Sequence, residues 1–211
     1  MRAIISVSDK AGVNDLARGL AGLGAVIYAT GGTYRTLEAA GIPVQPVSDL
    51  TGFPEILDGR VKTLHPAIYG GLLARRDVPA DLEELERHGL GPIDLVAVNL
   101  YPFEQTVARL SAGLEPDEGG DLDLGSGPLL PAALEQIDIG GPCMLRAAAK
   151  NLSAVLPVCD PNDYPAVLAA LGRPGGPDPA FRQLLAAKAF RHVAAYDAFI
   201  AAALSPRDLG W

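Results

Sequence analysis

Asp138-Ile139-Gly140-Gly141-Pro142 stands just ahead of an alanine-rich segment that closes on Lys150-Asn151. An acid precedes two glycines, and a proline follows where a first helical turn tolerates a missing N–H. Glycine lets a backbone come close to a ligand. The stretch offers a carboxylate, free helix N–H groups and an ammonium near one another in sequence. Those are parts for proton transfer around an anion. An ordinary capped helix has the same outline, so the segment alone leaves both readings open.

Three further segments carry groups of the same kind. Val7 is followed by Ser8-Asp9-Lys10, and Ala29 by Thr30-Gly31-Gly32-Thr33. Both turns follow apolar runs and feed helical spacing, so helix N–H groups, hydroxyls and the Lys10 ammonium converge where a phosphate would be favoured. Plain N-caps are the alternative. Gly59-Arg60-Val61-Lys62-Thr63-Leu64-His65-Pro66 sets two cations and a threonine in an irregular stretch held by turn residues. His65, between Leu64 and Pro66, reads as structural. Asn99-Leu100-Tyr101-Pro102-Phe103 ends the clearest buried strand of the chain, and a polar residue there points toward a ligand crevice. A turn asparagine and a core tyrosine are the alternative.

These segments need a scaffold. Residues 3–7, 25–29, 44–47, 94–99 and 154–158 read as short buried strands. Helical spacing covers 12–23, 33–40, 81–88, 103–110, 164–171 and 180–204. Alternation of strand and helix predicts an α/β fold with a mostly parallel sheet covered by helices on both faces. Residues 52–71 read as loops around short helical turns. Residues 111–131 are rich in Gly, Pro and acid and read as a protruding insertion. Their Asp121-Leu122-Asp123-Leu124-Gly125 lacks the spaced bidentate glutamate of a calcium loop.

Composition narrows the function. A formal net charge of -8 argues against a broad nucleic-acid surface, while leaving room for a small anion held by local N–H groups and a few cations. Cys143 and Cys159 belong to no metal-spaced cluster and read as small buried residues, which fits a reducing cytoplasm. The apolar start of the chain is too short for a signal peptide, and no stretch approaches a membrane span. No zinc motif, nucleophile elbow, P-loop or dinucleotide fingerprint is present.

Taken in order, Ser6-Val-Ser-Asp-Lys10, Thr30-Gly-Gly-Thr33, Leu50-Thr-Gly-Phe-Pro-Glu55, Gly59-Arg-Val-Lys-Thr-Leu-His-Pro66, Asn99-Leu-Tyr-Pro-Phe103, Glu135-Gln-Ile-Asp-Ile-Gly-Gly141 and Leu145-Arg-Ala-Ala-Ala-Lys-Asn151 resemble the IMP cyclohydrolase domain family. That domain is the N-terminal half of the bifunctional AICAR transformylase/IMP cyclohydrolase. The ordered set spans most of the chain. The resemblance implies a methylglyoxal-synthase-like three-layer α/β sandwich over residues 1–204, with the insertion at 111–131 and a tail or linker at 205–211. It implies a formylated aminoimidazole carboxamide ribotide (FAICAR) as substrate, with IMP and water as products and no metal or organic cofactor.

By the same resemblance, Ser8, Asp9, Lys10, Thr30, Gly31, Gly32 and Thr33 hold phosphate and ribose. Arg60, Val61, Lys62, Thr63, Val98, Asn99, Asp138, Ile139, Gly140 and Gly141 line the rest of the substrate site. Lys62, Tyr101, Asp138 and Lys150 form the catalytic group. Within that group Asp138 is expected to relay the amide proton in a pair with Lys150, Lys62 to stabilise the oxyanion and Tyr101 to position or protonate the formyl oxygen, with an exchange of roles between the two lysines left open. The insertion is longer than the family's usual connection, and being acidic it should point away from a phosphate site. The transformylase half, which would be a separate or missing domain, is the expected functional partner. A homodimer is left open, since much of the family's dimer contact lies in that half. Two rivals share the fold: methylglyoxal synthase, and a nucleotide-binding regulatory module. The paired Lys62 and Lys150 motifs and the Asn99–Phe103 motif argue against the first, and retention of all four expected catalytic residues argues against the second.

Overall fold

The computed structural model describes residues 1–101, 103, 104, 108 and 130–205. Five strands, β1 (Arg2–Val7), β2 (Val26–Ala29), β3 (Gln45–Pro46), β4 (Leu95–Asn99) and β5 (Leu156–Val158), form one sheet in the order β3-β2-β1-β4-β5. Every pairing is parallel. The central pair, β1 and β4, is apolar on both faces because helices cover both faces.

Side chains alternate across a strand, and the core divides accordingly. Ala3, Ile5 and Val7 of β1 and Leu95 and Ala97 of β4 share one cluster with Val13, Leu16, Ala17 and Leu20 of helix α1 (Val13–Gly22). Leu37 of α2 (Gly31–Ala39) joins the same cluster. Ile4, Val96 and Val98 enter the opposite cluster. There they meet α3 (Val47–Thr51), α4 (Pro66–Leu73) and the helix Gly140–Lys150. This gives the three layers expected from the sequence.

The remaining helices are α5 (Pro79–Arg87), α6 (Leu130–Leu134), α7 (Gly140–Lys150), α8 (Tyr164–Leu171) and α9 (Pro179–Leu204), with a short 3-10 turn at Pro161–Asp163. Helix α9 has 26 residues and so runs about 39 Å. Leu185, Ala186, Ala189 and Val193 bring its first two thirds into the sheet clusters. Its second half packs Tyr196, Phe199, Ile200 and Ala203 around Phe103 and Ala133.

Two strands are clearly shorter than the sequence implies, and one of them is β5, which holds only Leu156–Val158 of the expected 154–158. Residues 44–47 were expected as a strand, but β3 holds only Gln45–Pro46, and Val47 already opens α3. Pro46 has no N–H to give to a ladder, which confines it to the sheet edge. The insertion at 111–131 lies outside the described residues except for Leu130 and Pro131, which start α6. Residues 206–211 also lie outside them.

Chain order runs from β1 outward to β2 and β3, then returns to β4 and β5 on the other side. Ligands in open parallel sheets lie beyond the carboxyl ends of the strands where the order reverses. Here that point falls between β1 and β4, whose last residues Val7 and Asn99 are paired.

A buried hydroxyl braces this edge. Thr33, 2% exposed, donates through Oγ1 to the Val7 carbonyl and accepts from the Val7 N–H, both at 3.1 Å. Thr33→Val keeps the shape and strips the Val7 N–H of its acceptor. The expected cost is about 1–3 kcal/mol, read as a Tm lowered by several degrees. A Tm unchanged within error in thermal unfolding would show that the bond is not needed.

Candidate active site

A cavity of about 670 Å³ opens at the strand-order switch, within the size range of small-molecule sites. Five segments build it: the turns after β1 and β2, the irregular run before α4, the end of β4, and the approach to α7. Ser8, Lys10, Thr30, Gly31, Gly32, Thr33, Arg60, Lys62, Thr63, Asn99, Tyr101, Asp138, Ile139, Gly140 and Gly141 all line it.

The first two turns form one end. Gly31 and Gly32 are the first residues of α2, where N–H groups have no partner inside the helix. Lys10 Nζ donates to the carbonyl oxygens of Val7 and Ser8, which holds its ammonium over the end of β1. Lys10 and the Arg35 guanidinium both flank Gly32. Burial lowers the Lys10 pKa, Asp9 raises it, and the Arg35 charge lowers it further. Two neighbouring cations beside free helix N–H groups suit an anion.

The side chains at this end are more occupied than the sequence implied. Ser6 and Thr30 share a hydroxyl–hydroxyl bond at 2.7 Å, and Thr33 is spent on Val7. Asn99 Oδ1 accepts from the N–H groups of Ser8 and Asp9 at 2.5 and 3.0 Å, and its Nδ2 donates to the Asp9 carbonyl at 2.9 Å. Asn99 thus clamps the turn after β1, as well as bordering the cavity.

The irregular run is a tight excursion. Leu57, Asp58 and Gly59 have φ of 54°, 51° and 85°, and a bridge between Ile56 and Val61 closes the loop. Non-glycine residues in the left-handed region store strain, which clusters at functional sites. The loop presents Arg60 and Lys62 to the cavity, and Arg60 pairs with Glu135 at 3.5 Å. His65 is structural, as expected: its Nδ1 accepts from the Ala67 N–H at 3.2 Å, capping α4, and its ring stacks on Phe53.

Two glycines let the last segment close in. A Cβ on Gly140 would collide with Thr63 Oγ1, and one on Gly141 would collide with the Asp138 carboxylate. Their absence allows the N-terminus of α7 to sit against Thr63, next to Lys62. The Gly141 N–H donates to Asp138 Oδ1 at 2.9 Å, so the carboxylate sits at the positive end of α7. Desolvation raises the Asp138 pKa, while the Gly141 bond and the Lys62 charge pull it down. A carboxylate of raised proton affinity beside a cation is suited to accept a proton.

The structure corrects one assignment. Lys150 does not line the cavity; it is exposed at the last position of the 11-residue α7. Gly140 and Lys150 are therefore about 15 Å apart along the axis. Asp138 precedes that helix, so the expected Asp138–Lys150 pair is not made within this chain. The other three members of the expected catalytic group, Lys62, Tyr101 and Asp138, border one cavity.

Three expected binding residues also lie off the cavity lining. Asp9 turns to cap the Ala11 N–H at 2.9 Å, and Val61 spends its backbone on the bridge to Ile56. Val98 is 1% exposed within β4 and packs into the core. Sequence reasoning missed Ser6, Arg35, Glu135 and Met144. Ser6 and Arg35 fall within or beside motifs already noted, whereas Met144 is placed only by the turn of α7.

Among the described residues no group of three His, Cys, Asp or Glu side chains could hold a metal ion, and no helix is long and apolar enough to cross a membrane. Cys143 and Cys159 are free thiols.

Fold and site together define a doubly wound α/β domain with a glycine-lined crevice of mixed charge at its switch point and a helix-capping carboxylate against it. The chain belongs to the MGS-like domain family, which it matches over residues 12–143, and residues 148–209 match the AICARFT/IMPCHase bienzyme family. It is 52% identical to the bifunctional purine biosynthesis protein PurH of Lactiplantibacillus plantarum over 98% of this chain and 37% of that protein. It is 56% identical to the PurH protein of Chloroflexus aurantiacus over 99% of this chain and 38% of that protein. The chain thus spans little more than a third of those relatives. The crystal structure of ForH superposes with a TM-score of 0.80 at 41% identity, covering 97% of this chain and 99% of that one.

Proposed function

We propose that this chain is an IMP cyclohydrolase, closing the six-membered ring of the formylated aminoimidazole carboxamide ribotide in the final step of purine nucleotide synthesis. One observation carries the reading most. Asp138, made a better base by burial and fixed by the Gly141 N–H, shares a cavity with Lys62, Tyr101 and the anion-suited turns at Lys10 and Gly31–Gly32. The kinship with PurH proteins supports a purine-synthesis setting.

The ribotide phosphate would sit on the N-terminus of α2 beside Lys10. The carboxamide nitrogen then attacks the formyl carbon, and the N–H proton passes to Asp138. Charge that develops on the former formyl oxygen is met by Lys62, with Tyr101 supplying or orienting a hydrogen bond. Asp138 passes the amide proton on to that oxygen, the N–H proton of the former formamido nitrogen follows, and as the C–O bond breaks the oxygen leaves as water and the N=C bond of the purine forms. Atoms balance without a metal or redox partner. Both reacting groups belong to one molecule, so holding it folded supplies much of the rate. The PurH proteins are bifunctional by name; formyl transfer is not assigned to the residues described.

The test is direct. Purified protein with a chelator and the formylated ribotide should form IMP, followed by ultraviolet absorbance and confirmed by chromatography. Absence of IMP above the uncatalysed rate, or turnover of dihydroxyacetone phosphate instead, would overturn the reading.

A further inference from the structure

We propose that Tyr196, on the second half of α9, is a positioning residue that locks Asp138 and the Tyr101 segment into one geometry; this rests on the cyclohydrolase reading. Its hydroxyl oxygen accepts the Asp138 backbone N–H at 2.8 Å, across 58 residues of sequence. Its ring meets Phe103 edge-on, with centroids 6.5 Å apart and planes at 73°. Phe103 is 1% exposed, and its N–H donates to the Tyr101 carbonyl at 2.8 Å. One side chain therefore grips the two segments that deliver the base and the phenol.

The geometry explains why such a grip is needed. Asp138 lies in the short irregular link between α6 and α7, and among the described residues its other hydrogen bond is the one its carboxylate accepts from the Gly141 N–H. That bond sets the carboxylate against the helix but leaves the Asp138 peptide unit to be placed from outside. Tyr196 places it, on the longest helix of the described residues. Phe199, one turn along α9, packs edge-on against Phe103 at 5.9 Å but makes no bond to the site. It supplies a control for packing alone.

Tyr196→Phe keeps the ring and removes the acceptor. The expected results are an Asp138 amide proton that exchanges about tenfold faster by NMR, and a kcat about tenfold lower with KM within about twofold. Tm should stay within about 3 °C, because only one hydrogen bond is lost. Phe199→Leu should do the reverse, lowering Tm while leaving kcat and Asp138 exchange near parental values. An unchanged Asp138 amide or an unchanged kcat in Tyr196→Phe, with an active parent, overturns the positioning role alone. A parent that forms no IMP overturns the cyclohydrolase reading, and the role in ring closure with it.

Discussion

Asp138→Asn is expected to cut turnover by about 10²–10⁴ while leaving the protein folded and no less stable at neutral pH. The amide keeps an oxygen for the Gly141 N–H, so the turn into α7 is retained. It loses the ability to take a proton. The stability sign follows from the shift. Desolvation lifts the Asp138 pKa above its ordinary 3.8, so folding favours the protonated acid. The charged form therefore costs stability, and the cost grows as pH rises through the window from 3.8 to the raised folded value. Asparagine carries no such cost. Its Tm should match or exceed that of the parent at pH 7, with the advantage fading in acid. Turnover within a few-fold of the parent would remove Asp138 from the chemistry. A large Tm loss would show that its charge is structural.

Lys62→Met is expected to lower kcat by about 10²–10³, the usual effect of removing one donor from a developing oxyanion. It carries a second, directional signature. The Lys62 charge holds the Asp138 pKa down against burial, so removing it lets that pKa rise further. A base must be ionised to act, so the acidic limb of the kcat–pH profile should move to higher pH. A limb that stays in place would separate Lys62 from Asp138, even with lowered turnover. A parental kcat would reject the oxyanion role outright.

Much of the scaffold was legible in the sequence because parallel strands buried on both faces are nearly continuous apolar runs. Residues 3–7, 25–29 and 94–99 show this, and β1, β2 and β4 fall there within a residue or so. The turns that border the cavity were legible for a related reason: strand ends at a switch point must meet a ligand crevice, and polar residues cluster there. What sequence conceals is where a side chain spends its bonds. Thr30, Thr33 and Asn99 were read as ligand contacts, yet their polar groups largely hold Ser6, Val7 and the Ser8–Asp9 turn. Lys150 was grouped with Asp138 by motif, although a helix between them separates the two by its own length. Tyr196 gave no signal at all, because one tyrosine on a long helix looks like any other until the fold brings it to Asp138.

The reach of α9 bears on how the protein comes into being. The strands and early turns that border the cavity are synthesised first, while the brace beneath Asp138 follows only after them. A nascent chain halted before residue 196 should thus be able to pack much of its sheet yet lack a settled reaction centre. A separately supplied α9 peptide would be the natural reagent for completing it.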